Sequence, residues 1–460
     1  MRQGREEASK GPPLVRWYVL FLFSVFAYAQ CANWMTFSCV PKYSKQVYNM
    51  TASDVDLLLN WGPIIFIPFV VFTSWLLTTH NGVKRTIMLG FFVTFAGGLL
   101  RLVPTWTGSI AFAESRWARV LLHAAQILNA AGGPVSMGAA SRVSAHWFPV
   151  EQRTRATAMP FIFSGIGQGV TSLVGPYIVT GRANFSNLLY LTGAVSTFPF
   201  ICALVYFPAS PADSRPWWKR KTTIRGNFKS INVVDDDDVS IEGEKTKKKV
   251  GFVSGIAKVL CNYSALSCFV AGGLMGGTTD AYLSTLPTTW NDEKLSETKG
   301  DWINSMSVFA SVIGGLLVSY LVDKFFARRL KDVMIALTVL SIVFFFALVY
   351  APYLDVKLFT TSQFWFLEFC SFVFGFVQGA RDPIIEELTA ELTYPADEGT
   401  SAGVYTFIYN AGALGLIFAA SSLPVVWLGI CTIASLALAL LLLVLVKEQY
   451  RRRDSSVCRE

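Results

Sequence analysis

The sequence predicts an all-α polytopic membrane protein, with twelve transmembrane helices arranged as two six-helix halves. Three observations carry that prediction. Hydrophobic residues make up 53% of the 460 positions and charged residues only 15%, where a soluble domain has about 25% charged. Apolar stretches of about 20 residues, each long enough to cross a bilayer as a helix, recur along nearly the whole chain. Finally, there is a weak internal repeat. Trp61 opens the second span and Trp302 the eighth. Thr79 and Asp323 end those spans. Phe148-Pro149-Val150-Glu151 follows the fourth span and Tyr394-Pro395-Ala396-Asp397 the tenth. The separations are 241, 244 and 246 residues, in the same order. Such symmetry is typical of secondary transporters, whose solute site lies between the halves near the bilayer midplane.

The first span, 16–40, has no small-residue cleavage site behind it, so it reads as a retained helix and not a cleaved signal. The spans 55–78, 86–105, 118–143, 156–179 and 187–207 complete the first half. Residues 208–252 are the one long connection, with an acidic run at Asp235 to Asp238 and a basic one at Lys245 and Lys247 to Lys249. That composition reads as a flexible linker, with Trp217-Trp218 suited to the membrane interface. The second half holds spans 263–287, 303–322, 333–353, 363–390, 401–422 and 425–446. The domain division is therefore a tail at 1–15, a bundle at 16–207, the linker at 208–252, a bundle at 253–446 and a tail at 447–460.

The basic residues sort by side. Arg2, Arg5, Lys10, Arg16, Lys84, Arg85, Arg153, Arg155, Lys324, Arg328, Arg329, Lys331, Lys447 and Arg451 to Arg453 fall at the termini and the even-to-odd connections. Both ends are thus expected in the cytosol. The net charge of +8 lies mostly in these short loops, so it makes no case for nucleic acid. The sequons at Asn49 and Asn184 fall in outer loops and are glycosylation candidates, whereas the one at Asn262 lies on the cytosolic side. Eight cysteines are scattered, most of them inside spans, with neither a disulfide framework nor metal spacing. No nucleotide motif and no catalytic constellation is visible, so neither a cofactor nor enzyme activity is expected.

Gly315-Leu316-Leu317-Val318-Ser319-Tyr320-Leu321-Val322-Asp323-Lys324, followed by Arg328 and Arg329, resembles the loop motif of the major facilitator superfamily. The copy at Thr79-His80-Asn81-Gly82-Val83-Lys84-Arg85 keeps the glycine and the bases but lacks the aspartate. Gly165-Ile166-Gly167-Gln168-Gly169, ending in Gly175-Pro176, is similar to the fifth-helix motif of that superfamily. The stretch from Glu391 to Gly403, with Tyr394-Pro395-Ala396-Asp397-Glu398 at its centre, resembles solute carrier family 49, which contains the feline leukaemia virus subgroup C receptor-type transporters. Leu59-Asn60-Trp61-Gly62-Pro63-Ile64, and His123 to Asn129 with Gly133-Pro134, resemble the branch of the disrupted-in-renal-carcinoma protein. The resemblance implies a major facilitator fold and a small organic solute. That solute would be choline or ethanolamine, haem, or, in the last branch, pyridoxine driven by protons across the lysosomal membrane. The resemblance also gives loop and gating roles to Gly82, Arg85, Asp323, Arg328, Glu391 and Glu398. A lysosomal address follows from the resemblance alone, because the amino terminus carries no acidic dileucine pair.

Charged residues inside spans are the strongest candidates for function, since each costs at least about 2.5–3.5 kcal/mol on insertion scales unless it finds a partner or a wet cavity. Asp382 lies about 11 residues from the end of the tenth span, roughly 16 Å deep at about 1.5 Å per residue. Arg381 is beside it, and Pro383 is expected to bend or open the helix there. The pair either binds solute or a proton, or neutralises itself. Asp280, about mid-span in the seventh helix, either carries a proton or neutralises Arg381. His123, Gln126 and Asn129 recur every three residues and share a helical face, extended by Arg119. That stripe either lines a cavity or bonds to a neighbouring helix, and His123 is the residue suited to a proton at lysosomal pH. Glu387 and Glu391, spaced four apart, either hold the cytosolic loop or gate it. Under the resemblance, Trp34 matches a tryptophan lining the solute site of choline-transporting relatives, where an indole face binds a cation, and Asn410 stands where those relatives carry a glutamine. Tyr282 and Tyr405 would complete an aromatic box, with Gln168 a further polar contact.

Proton-linked export of a pyridoxine-like solute is thus the leading expectation. Facilitated choline or ethanolamine movement follows it. A non-transporting membrane receptor is a third reading, favoured by the missing aspartate at Thr79. The expected partners are a small organic solute, protons and the lipid bilayer, and the chain is expected to act as a monomer.

Overall fold

The computed structural model describes residues 13–77, 79, 81–148, 150–210, 261–289, 297–326, 328–351, 362–393, 398–420 and 422–450. Among these residues the regular structure is helical throughout, with no strand. The first half contains α1 (Pro13–Met35), α2 (Ala52–Leu77), α3 (Gly82–Leu100), α4 in three pieces (Arg116–Ala131, Gly133–Gly138, Ala140–Trp147), α5 (Val150–Ile178) and α6 (Phe185–Val205). The second contains α7 (Tyr263–Thr289), α8 (Glu297–Phe325), α9 (Leu330–Tyr350), α10 (Ser362–Thr393), α11 (Glu398–Ala420) and α12 (Val425–Leu445). Because successive spans alternate in direction, the beginning of α1 and the end of α12 share one face, called here the terminal face. The opposite one is the far face. The linker through residue 260, His80, and the side chains of Asp323 and Glu398 lie outside the described residues.

Eight helices, α1, α2, α3, α6, α8, α9, α11 and α12, are long and apolar enough to cross a membrane. Among the described residues, α5, α7 and α10 fall short because they carry polar, charged and small residues, and α4 because its longest piece has only 16 residues. Those are the helices on which most of the candidate site residues lie. Polar faces within a bilayer belong against protein or water and not lipid, which places these four helices toward the interior.

Several expected boundaries shift. The first span ends at Met35, and the residues to its C-terminal side form a turn and a short far-face helix, Pro41–Tyr48. The eighth begins at Glu297, which draws Asp301 into the helix, where it is buried. The fourth is interrupted at Gly132 and Ala139. Pro134 supplies no N–H, and a Cβ at Gly132 would stand 2.6 Å from the Thr94 hydroxyl. In contrast, α10 runs through Pro383 without a break in the helix, so of the two expectations, bending or opening, it is not opened there. The Gly379 carbonyl, which loses its donor to Pro383, lies against Gly315 of α8, where an added Cβ would be 3.0 Å away. Proline also lies inside unbroken helices at Pro63 and Pro68 of α2 and Pro199 of α6.

Glycines set the tightest helix pairs. Gly314, Gly375 and Gly379 join α8 to α10 so closely that a Cβ at any of them would clash with the facing backbone. Gly167 meets the Tyr28 backbone of α1 in the same way, and Gly165 and Gly169 face Val312 and Phe309 of α8. The glycine motif of α5 therefore packs both within its own half and across to the other. Among the described residues, three hydrogen bonds join the halves along α5 and α8. Trp302 Nε1 donates to the Tyr177 hydroxyl (3.1 Å), Asn304 Nδ2 to Ser172 Oγ (3.2 Å) and Ser305 Oγ to the Gly169 carbonyl (3.1 Å). All three lie in the far half of the fold. Met35 and Leu59, also near the far face, pack into the second half's apolar core.

Candidate functional site

Asp280 occupies the latter part of α7, in a Gly-Gly-Thr-Thr stretch that lets α11 approach. Gly277 is so close to the Tyr409 carbonyl that no side chain would fit. Two donors converge on the Asp280 carboxylate: Gln378 Nε2 from α10 reaches Oδ1, and the Tyr409 hydroxyl from α11 reaches Oδ2. One turn along α10 from Gln378 lies Asp382, whose Oδ1 accepts from the Tyr405 hydroxyl at 3.4 Å. Another turn on is Glu386, which is exposed. Gln378, Asp382 and Glu386 thus descend one face of α10 at four-residue spacing. Glu386 interacts electrostatically with Asp382, and Asp382 with Asp280.

Arg381 is 2% exposed, and none of its three guanidinium nitrogens has a hydrogen-bond partner. It nonetheless lies within electrostatic reach of Asp382, Tyr405 and Asp280. From the opposite half, Cys31 of α1 bonds with Ser164 of α5 at 2.8 Å and is within electrostatic reach of Asp280. The cluster therefore sits where the halves meet. The structure brings together Asp280, Arg381 and Asp382, the buried charges the sequence singled out, and sets Tyr405, expected in an aromatic box, beside Asp382. It adds Gln378, Tyr409 and Glu386, which sequence reasoning had not assigned to the site. Four-residue spacing from Asp382 points to Gln378 and Glu386; nothing in the sequence pointed to Tyr409.

The α4 stripe has a different outcome. Gln126 and Asn129 are each 1% exposed and are bound to α1. Gln126 Nε2 donates to the Trp34 carbonyl (3.2 Å) and Asn129 Nδ2 to the Gln30 carbonyl (3.0 Å). Of the two readings left open for the stripe, the structure takes helix–helix bonding for these residues. Arg101 of α3 completes the junction. It is fully buried and donates to the Asn33 carbonyl (3.3 Å), Thr36 Oγ1 (3.3 Å) and Gln126 Oε1 (3.1 Å). Tyr48 of the far-face helix interacts with it, and burial pushes that phenol well above its ordinary range. Sequence reasoning passed over Arg101, although a charge within an apolar span is the same signal that singled out Arg381. His123 is half-buried and accepts at Nδ1 from Trp61 Nε1 (3.1 Å), which fixes a neutral ring with its proton on Nε2. Arg119 donates to the Asn49 carbonyl at 2.6 Å.

Trp34 is half-buried, donates Nε1 to the Leu59 carbonyl (2.9 Å), and lies over Gly62. Tyr282, expected in an aromatic box, is instead a core residue, packed edge-on to Phe345 at 5.0 Å between centroids. Asn410 donates to the Thr406 carbonyl of its own helix (2.8 Å), and Gln168 is half-buried on α5. Glu391 is fully buried and not at an open mouth, whereas Glu387 is partly exposed. Gly82 follows Asn81, which has a φ of 54°, and a Cβ there would meet the Leu76 and Leu77 carbonyls at 2.5 and 2.6 Å. Thr79 Oγ1, standing where the motif aspartate is missing, bonds to the Leu76 carbonyl of its own helix at 2.7 Å. Arg85 and Arg328 are exposed, as are Asn49 and Asn184. No His, Cys, Asp and Glu cluster suited to a metal occurs among the described residues.

The family model described as Major Facilitator Superfamily matches residues 22–288 and 268–457. A solute carrier family 49 member 4 homolog of Xenopus tropicalis is 26% identical over 95% of this chain and 92% of its own length. The choline/ethanolamine transporter flvcr2a of Danio rerio is 23% identical, over 88% of this chain and 79% of its own. Among solved structures, the E. coli fucose:proton symporter FucP superimposes with a TM-score of 0.58 at 13% identity, covering 95% of this chain and all of that one.

Proposed function

The chain belongs to the major facilitator superfamily and is a membrane transporter, not an enzyme, and on that premise we propose that it moves a small organic solute by alternating access, coupled to protons through Asp280. The observation that carries this reading is the cluster of Asp280, Arg381 and Asp382 at the junction of the halves. Buried charge of this type is expensive and marks ion or solute pathways. Asp280 is held by two donors from two different helices. Gain or loss of a proton there changes which of those bonds can form, so protonation and helix position are linked. Gln378, Tyr405 and Tyr409 offer the solute hydrogen-bonding groups in the same place. Trp34 offers an aromatic face on the other half.

The preferred solute is a pyridoxine-like vitamin leaving the lysosome, as the branch resemblance of Leu59 to Ile64 and His123 to Asn129 implies. Both termini then face the cytosol, as the basic loops suggest. The second reading is choline or ethanolamine movement, favoured by the names of other relatives and by the half-buried indole of Trp34.

Uptake of labelled pyridoxine decides between them, with the protein at the cell surface and the outer solution standing for the lysosomal lumen. The comparison is about pH 5.5 against about pH 7.5, with labelled choline alongside. Pyridoxine uptake that rises in acid and collapses with a protonophore is the expected result. Choline uptake with no pyridoxine uptake and no response to pH would overturn the proton reading.

A further inference from the structure

We propose that Asp280, Arg381 and Asp382 act as one charge unit that crosses only after taking up a single positive charge, so a neutral solute travels with a proton while a permanently cationic solute takes the proton's place. The inference rests on the transport reading above and adds a rule that links solute charge to coupling.

Two carboxylates and one guanidinium share the site, and the arginine is the one buried cation acting on both acids among the described residues. Ionised, the three carry one excess negative charge. Alternating access closes the site to water on both sides, and an uncompensated charge in low dielectric is costly enough to stop that step. One proton on a carboxylate oxygen neutralises the unit. So does one cationic solute, with no proton. The arginine is poised for this sharing: it is 2% exposed and hydrogen-bonded to neither acid, so it can pair with whichever remains ionised. Glu386 is exposed in this conformation; it lies one turn further along α10, acts on Asp382 and not on Asp280, and is counted outside the unit.

The groups facing Asp280 are Gln378, Arg381 and Asp382 from α10, Tyr405 and Tyr409 from α11, and Cys31 from α1. The second, eighth and twelfth helices also pack on α7, but no described group on them adds a charge that acts on Asp280.

The test uses the full-length protein in proteoliposomes, with pyridoxine as the neutral probe and choline as the permanently cationic one. Initial rates are read from about pH 6 to about pH 8. Pyridoxine uptake should rise toward acid and choline uptake should fall, each about threefold or more, since a one-proton step changes occupancy at most about tenfold per pH unit. Two rates moving in the same direction, or choline uptake indifferent to pH while pyridoxine responds, would overturn the rule and leave proton coupling standing. Transport of neither probe would remove the pyridoxine and choline readings and the rule with them. Arg381→Gln alone should lower net transport of both probes at least about tenfold. Adding Asp382→Asn restores the single excess charge and should recover both rates with their opposite pH slopes. A guanidinium needed only for packing would not be rescued by that second change.

Discussion

Tyr409 and Gln378 hold Asp280 from two helices, so each makes a separable contribution to the site. Tyr409→Phe keeps the ring and removes the donor. A hydrogen bond to a charged group contributes about 1.5–3 kcal/mol, so solute uptake per surface-expressed molecule should fall about tenfold or more, while thermal stability in detergent stays close to wild type. Arg101 is the contrasting case. Its guanidinium joins α1, α3 and α4 through Asn33, Thr36 and Gln126. Arg101→Ala should lower the melting temperature measurably, because each buried partner left unpaired costs about 1–3 kcal/mol. Much of this was legible in the sequence. Asp280, Arg381 and Asp382 declare themselves as charges in apolar spans. Tyr409 does not, because a tyrosine in a span reads equally as packing until its neighbour is known. Gln126 and Asn129 show why a period is not enough: spacing puts them on one face, but the face meets α1 and not a cavity.

The same limit operates on whole helices. Twelve spans could be read from hydropathy, but proline alone did not say where a helix breaks. Pro383 sits in an unbroken helix, with the freed Gly379 carbonyl close to Gly315. Pro134 lies where α4 breaks, beside Gly132 and Thr94. Tertiary packing decides between these outcomes, and packing is not local in sequence. The α8–α10 contact gives a direct check. Gly379→Ala would drive a methyl into the Ser311 backbone, and overpacking of this type costs about 1–3 kcal/mol, seen as a lower melting temperature in detergent. Gly415→Ala on α11 has nothing within 4 Å and should be neutral or stabilising by up to about 1 kcal/mol.

At the scale of the whole molecule, the hydrogen bonds between the halves cluster toward the far face, and Glu386 is exposed on the other side of the site. Among the described residues that pattern predicts access to the site from the terminal face. Glu386→Cys, in a background with the native cysteines replaced, should react with a membrane-impermeant thiol reagent applied from the terminal face. Trp302→Phe removes the donor to Tyr177 and should shift the population toward the far-open state, seen as slower labelling of that cysteine. These motions matter only if they carry the proton that Asp280 is proposed to hold. The measurement that tests this most directly is solute-driven proton flux in proteoliposomes, read with a pH-sensitive dye, for wild type and Asp280→Asn. Pyridoxine should drive a proton flux in the wild type. The variant should show none, while still exchanging labelled for unlabelled pyridoxine. A variant that keeps the proton flux would contradict the assignment of the proton to Asp280.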